Sequence, residues 1–316
     1  MKTPLISVLI PAYNHADYIG FTLQALLNQT YPNIELLVHD DGSKDKTWEV
    51  LQSWLPKCKQ HLTLAEFFTA PNQGVSRTLN ALVSKAQGKY ICLIASDDIP
   101  HTKALQKQVA FLETHPDYVL AVGNNQFIDS EGKVCGWNKR QQIVYNPKEI
   151  VYPTFADFLQ RRKKFKFSSD KFGTYQTLYT GNYIPNGYLF RRDIFEKFGP
   201  FPTEPMLEDW WLMLQLSKYG KMKYLDEILF FYRQHATNTI KDMERMDKLA
   251  YACAKHEEKI LDNLAKKNQL PLFILPIYKK KYIYRIGIPL YLKAKKCVQL
   301  IKKIKYMCSP KKESTK

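Results

Sequence analysis

The 316-residue chain has six cysteines, and no two of them form a CxxC pair or gather with histidines into a cluster. That excludes a zinc finger and leaves no disulfide framework, so a reducing compartment is expected. Long apolar runs are missing too. Residues 5–10 lie between Pro4 and Pro11, too short for a signal-peptide core, and residues 270–277 contain two prolines and run into three lysines. Nothing reaches the roughly 20 apolar residues that a membrane-spanning helix needs. Acid is scarce in one stretch: residues 263–316 hold 15 Lys or Arg and a single acid, Glu313, whereas residues 1–240 hold 27 against 23. The net charge of +17 is therefore a property of the tail, and it bears on what the tail touches.

With 45% hydrophobic residues, the chain can bury a substantial core in one large domain plus an appendage. The first 125 residues alternate β-branched apolar runs at 7–10, 35–39, 62–68, 90–94 and 118–122 with helical spacing at 18–28, 46–55, 75–86 and 103–114. This is the rhythm of βαβ units around a parallel sheet, so the fold class is α/β. Ligands of such sheets sit beyond the carboxyl ends of the strands. The loops there are Pro11-Ala12-Tyr13-Asn14, Asp40-Asp41-Gly42-Ser43 and Ser96-Asp97-Asp98. From about 126 to 183 periodicity fades, as in an insertion that covers a site or is partly disordered. It returns at 187–192, and after Asn238 the chain turns mainly helical.

Asp97 and Asp98 end a buried strand, where a hard cation such as Mg²⁺ or Mn²⁺ would relieve their repulsion and hold a diphosphate; a helix cap is the plain alternative. Asp40 or Asp41 can accept from a nucleobase imide, or form an Asx turn. Glu208-Asp209 opens an amphipathic helix, where the dipole keeps a carboxylate ionised and fit to act as a base; simple dipole stabilisation accounts for it equally well. Arg233 can grip phosphate oxygens, and His235 can ligate metal or donate to a diphosphate, though a lone histidine is commonly structural.

Taken together, these loops with Asn72-Gln73-Gly74, Asn80, the 86–90 segment Ala-Gln-Gly-Lys-Tyr, Glu208-Asp209-Trp210 and Tyr232-Arg233-Gln234-His235 closely resemble glycosyltransferase family 2. The resemblance covers about residues 5–240. It implies a GT-A fold: a Rossmann-like, mostly parallel central sheet flanked by helices, at 1–240. The nucleotide-binding half would be about 1–125, the acceptor half about 126–240, and a helical, Lys-rich extension would follow at 241–316. It implies a nucleotide-sugar donor, usually a UDP-sugar, bound by Pro11, Tyr13, Asn14, Asp40, Asp41, Asn72, Gly74, Asn80, Asp97, Glu208 and Arg233. Asp98 and His235 would hold Mn²⁺ or Mg²⁺, and Asp209 would be the general base of an inverting transfer. Relatives carry an arginine where this chain has Leu79, which leaves Arg77 to compensate, and Ser96 replaces the first acid of the DXD-like triplet.

The expected activity is a metal-dependent hexosyltransferase acting on a glycan or lipid-linked acceptor in bacterial surface polysaccharide synthesis. The alternative is a non-catalytic nucleotide-sugar-binding module, against which the joint presence of Asp98, Asp209 and His235 counts. Residues 290–308 form a basic amphipathic pattern suited to an anionic membrane surface, or to a solvated face on a packed helix. No aromatic-basic stacking platform accompanies the charge, so nucleic acid is not an expected partner. The expected location is cytoplasmic, peripheral on the inner face of the cytoplasmic membrane.

Overall fold

The computed structural model describes residues 3–279. The chain divides into two compact units, Met1–Glu257 and Glu258–Lys316. The basic pattern at 290–308 lies outside the described residues.

The first unit opens with β1 (Ile6–Ala12), α1 (Ile19–Leu27), β2 (Ile34–Asp40), α2 (Thr47–His61), β3 (Leu64–Thr69), α3 (Val75–Lys85) and β4 (Tyr90–Leu93). The two-residue β5 (Ile99–Pro100), α4 (Ala104–Thr114) and β6 (Tyr118–Ile128) follow. β2 is buried at every position and β1 at all but one. These continuous apolar runs are therefore strands covered on both faces, as a parallel sheet requires. The five full strands β1, β2, β3, β4 and β6 and the four helices between them stand where alternation and helical spacing predict them.

The 126–183 region is ordered, which its sequence pattern does not announce. It holds the small hairpin β7 (Gly136–Trp137) and β8 (Ile143–Val144), then α5 (Phe155–Lys163) and α6 (Tyr175–Leu178). Its stability is aromatic: Phe127 stacks on Trp137 with ring centroids 4.3 Å apart, and Phe155, Phe158 and Tyr152 pack around them. β9 (Leu189–Arg191), α7 (Arg192–Phe195), α8 (Glu208–Leu216) and β10 (Lys221–Arg233) complete the unit. α9 (Met243–Lys266) and α10 (Leu275–Lys279) end the described chain.

The main sheet has eight strands in the order β3-β2-β1-β4-β9-β6-β10-β5. β1 runs parallel to β2 and β4, and β10 runs parallel to β6. β9 is antiparallel to both its neighbours, so it sits reversed between two parallel groups whose carboxyl ends share one edge. Register shifts along the β10–β6 pair bend that half of the sheet, as bulges do. Among the described residues no helix is long and apolar enough to cross a membrane, and Cys58, Cys92, Cys135 and Cys253 are free and buried.

Candidate active site

The parallel register sets Ala12, Asp40 and Thr69 side by side at the ends of β1, β2 and β3. The loops beyond them are tied together. Asp41 accepts from the backbone N–H groups of Gln73 and Gly74 at 2.9 and 3.0 Å. Asp40 accepts from the Ser43 and Thr69 hydroxyls. Gly42 has φ +68°, and a Cβ there would lie 2.7 Å from the Asn72 nitrogen, so only glycine lets these loops approach so closely. Asn14, itself at φ 54°, accepts from Lys44 N–H and donates its own N–H to the Ser43 hydroxyl, both at 2.8 Å. Tyr13 remains 40% exposed beside this clamp, and Pro11 is half-buried at the strand end.

A second group forms where β4 and β10 end. Nε2 of His235 lies 2.8 Å from Oδ2 of Asp97, and Nδ1 of His235 lies 2.8 Å from the Thr237 hydroxyl. His15, one residue past the first loop motif, places Nδ1 2.7 Å from the Ser96 hydroxyl. Its ring meets that of His235 edge-on at 5.5 Å. One donor atom from each of His15, Asp97 and His235 lies within 4.8 Å of the others. Burial opposes the charge of Asp97, but the hydrogen bond from His235 and the nearby imidazoles outweigh it, holding the carboxyl below its usual range. Burial pushes the His15 imidazole toward its neutral, lone-pair-bearing form.

Asp98, expected as the direct metal ligand, has different company. It is 1% exposed and accepts from Arg233 N–H at 3.1 Å and from the Asn186 amide at 3.2 Å. Burial and the neighbouring Asp97 raise its carboxyl well above the ordinary range. Thus the structure brings Asp97, not Asp98, to His235: the two carboxyls sit in the turn after β4, Asp97 against Nε2 of His235 and Asp98 against the Arg233 N–H.

Arg233 also departs from expectation. Its guanidinium is 1% exposed and donates inward to the carbonyls of Asp97, Asp129 and Ser130 at 3.0–3.1 Å, under the rings of Tyr18 and Phe21. It braces the site from within. Asn80 spends both ends of its amide on the Phe201 backbone, each at 2.8 Å. Asn72 and Arg77 are exposed, and Gly74, at φ +87°, precedes α3.

Glu208 and Asp209 open α8. Asp209 accepts from the Asn182 amide at 2.8 Å and from Trp210 N–H at 2.6 Å. Burial raises Asp209 above the ordinary carboxylate range, the two hydrogen bonds partly opposing it. Burial and the adjacent Asp209 push Glu208 up to about 8. The charge of Asp209 thus opposes ionisation of its neighbour Glu208. His15 is the functional candidate that motif reading passes over, since only the tertiary fold joins it to Ser96 and His235; the segment from Asn182 to Asn186, where sequence reading expects sugar selectivity, supplies the amides that meet Asp209 and Asp98.

A mixed-donor cation site and a half-buried carboxylate pair, both flanking nucleotide-type loops at strand ends, can together bind a diphosphate and accept a proton. The model of "Glycosyl transferase family 2" matches residues 7–199, more than half of the chain. An uncharacterized glycosyltransferase of Haemophilus influenzae is 39% identical over 155 residues, covering 49% of this chain and 58% of that protein. The Escherichia coli UDP-Glc:alpha-D-GlcNAc-diphosphoundecaprenol beta-1,3-glucosyltransferase WfaP is 30% identical over 148 residues, covering 47% of this chain and 54% of that protein. The chain thus spans less than two thirds of either relative. Among solved structures, a Pyrobaculum calidifontis mannosyltransferase in complex with GDP-Man and Mn²⁺ aligns at TM-score 0.59, with 16% identity, over 98% of this chain and 77% of that one. The Staphylococcus aureus TarS 1–349 complex with UDP-GlcNAc aligns at TM-score 0.56, with 15% identity, over 87% and 78%. These neighbours share the GT-A fold, and the chain belongs to glycosyltransferase family 2.

Proposed function

We propose that the chain is an inverting, metal-dependent hexosyltransferase that moves sugar from a nucleotide-sugar, taken to be a UDP-sugar, to a hydroxyl of a glycan or lipid-linked acceptor in bacterial surface polysaccharide synthesis. The observation that carries this is the pairing of Asp97 with His235 at the strand ends, with Asp209 held separately at the start of α8. Support comes from family membership and from the printed activity of the E. coli relative.

The donor set suits a divalent cation: one carboxylate of lowered pKa and imidazole nitrogens with their second nitrogens already bonded. Asp97 and His235 would hold it. A bound Mn²⁺ would supply Lewis-acid stabilisation of the charge that gathers on the diphosphate. The chain's own groups do the rest. Tyr13, exposed over the Asp40–Ser43 loop, offers a ring face to the base. Asp98, buried beside Asp97, fixes Asn186 and the end of β10. Asp209, oriented by Asn182, takes the proton of the acceptor hydroxyl as that oxygen bonds to the anomeric carbon. The bond from that carbon to the diphosphate breaks, its electron pair leaves with the nucleotide, and the configuration inverts. The Lys-rich tail is proposed to rest on an anionic membrane surface, which places the enzyme at the inner face of the cytoplasmic membrane.

UDP release from a panel of UDP-sugars with Mn²⁺ tests the assignment. Asp97→Ala and Asp209→Asn should each lower kcat by at least about a hundredfold, and turnover unaffected by either would sink the site. For the tail, deletion of residues 286–316 should abolish sedimentation with anionic vesicles; unchanged sedimentation would refute the membrane role.

A further inference from the structure

We infer that His15 is a third protein ligand of the cation, resting on the proposal that Asp97 and His235 hold one. The site would then be a two-histidine, one-carboxylate set that favours Mn²⁺ over Mg²⁺. Three observations converge on it.

The donor atoms of His15, Asp97 and His235 already lie within 4.8 Å of one another. A cation bonded at roughly 2.1 Å keeps its donors within about 4.2 Å, so the set needs to close by less than an ångström. Both imidazoles are also prepared in the same way. Nδ1 of His15 sits 2.7 Å from the Ser96 hydroxyl and Nδ1 of His235 sits 2.8 Å from the Thr237 hydroxyl. Each Nδ1 therefore has its hydrogen-bond partner, and Nε2 of His235 faces Oδ2 of Asp97 at 2.8 Å, where a bound cation would take the place of the proton between them. The Nδ1 bonds are the outer-sphere arrangement that fixes tautomer and orientation in histidine-ligated sites. Finally, His15 is anchored from behind: its N–H donates to the Thr47 hydroxyl at 2.8 Å, and Thr47 is in turn held by Asp45.

The substitution of Ser96 for an acid acquires a reason. The triplet lost an oxygen ligand, and the serine instead orients an imidazole from another loop. Replacing carboxylate oxygen by imidazole nitrogen shifts a site away from Mg²⁺, which prefers oxygen and retains its waters, and toward transition ions.

The test uses the full chain without nucleotide and Mn²⁺ as the probe, with free Mn²⁺ quantified by electron paramagnetic resonance. His15→Ala should weaken Mn²⁺ binding by more than about tenfold, and Ser96→Ala, which removes only the supporting hydroxyl, by about tenfold. Excess Mg²⁺ should displace Mn²⁺ more readily from His15→Ala than from the unaltered chain. Pulsed resonance on the unaltered chain should detect two metal-bound imidazole nitrogens, a readout that does not depend on any variant folding. One nitrogen, or unchanged affinity in His15→Ala alongside weakened binding in His235→Ala, would overturn the role of His15 while leaving the donor site standing. Unchanged affinity in both variants would overturn both.

Discussion

Removing the Glu257 carboxylate should cost more stability than any other single change behind the site. Glu257 lies on α9 with its side chain 1% exposed. It accepts from the Tyr175 hydroxyl of α6 at 2.6 Å, from the Gln215 amide of α8 at 2.8 Å and from Lys218 at 2.7 Å. Lys218 is itself only 11% exposed and also donates to Gln215. Glu257→Ala leaves a nearly buried ammonium without its counter-charge, a change that costs roughly 3–5 kcal/mol. For a unit of this size each kcal/mol lowers Tm by about 2–4 °C, so the fall should be about 6–20 °C. Differential scanning calorimetry measures it. Glu257→Gln, which keeps the shape but sets one amide against that of Gln215, should fall in between. Removing both charges, as Lys218→Met with Glu257→Leu, should be milder than Glu257→Ala, because the stranded charge goes with its partner. A Tm within about 2 °C of the parent for Glu257→Ala, or a double variant worse than the single, would refute the reasoning.

The remaining predictions concern the site. Asp209 must be ionised to accept a proton, so kcat should fall with falling pH, with its acid limb above the usual carboxylate value of about 4. Asn182→Ala removes a hydrogen bond that favours the charged form and should move that limb to higher pH in a pH–rate profile. Glu208 binds its proton more tightly folded than unfolded, being pushed up to about 8. Its contribution to stability is therefore present at low pH and lost as pH rises toward 8; Glu208→Gln should flatten that slope in thermal melts taken from pH 5 to pH 8. A chelator should abolish UDP release, and Mn²⁺ should restore it better than an equal concentration of Mg²⁺.

Burial made most of the first half legible. β1 and β2 are covered on both faces, so their runs are mainly apolar, broken only where the buried Ser7 and Glu35 bond each other and where β2 ends in His39 and Asp40, and α1 to α4 each present one buried stripe. β9 has three residues and β5 two; pairing from distant strands, not local pattern, makes them strands. β10 runs 13 residues, but Asp226 and Glu227 are exposed where its register shifts, so only its last apolar stretch stands out in sequence. At the site, residue types were readable and directions were not. Nothing in Ser96-Asp97-Asp98 says which carboxylate meets His235, since that depends on where β4 ends. An arginine beside a phosphate-type loop looks like a ligand, and nothing in the sequence says that the carbonyls of Asp129 and Ser130 accept from it. His15 stood one residue beyond a motif, and its partners lie 81 and 220 positions away.

Arg233 links the end of β10, the end of β6, the Asp97 loop and the aromatic face of α1 through one side chain. Those segments therefore cannot open one at a time without stranding a buried guanidinium. In native-state amide exchange they should behave as a single cooperative block, exchanging together and slowly. The donor pocket would be either assembled or absent, with no half-formed version to bind nucleotide unproductively.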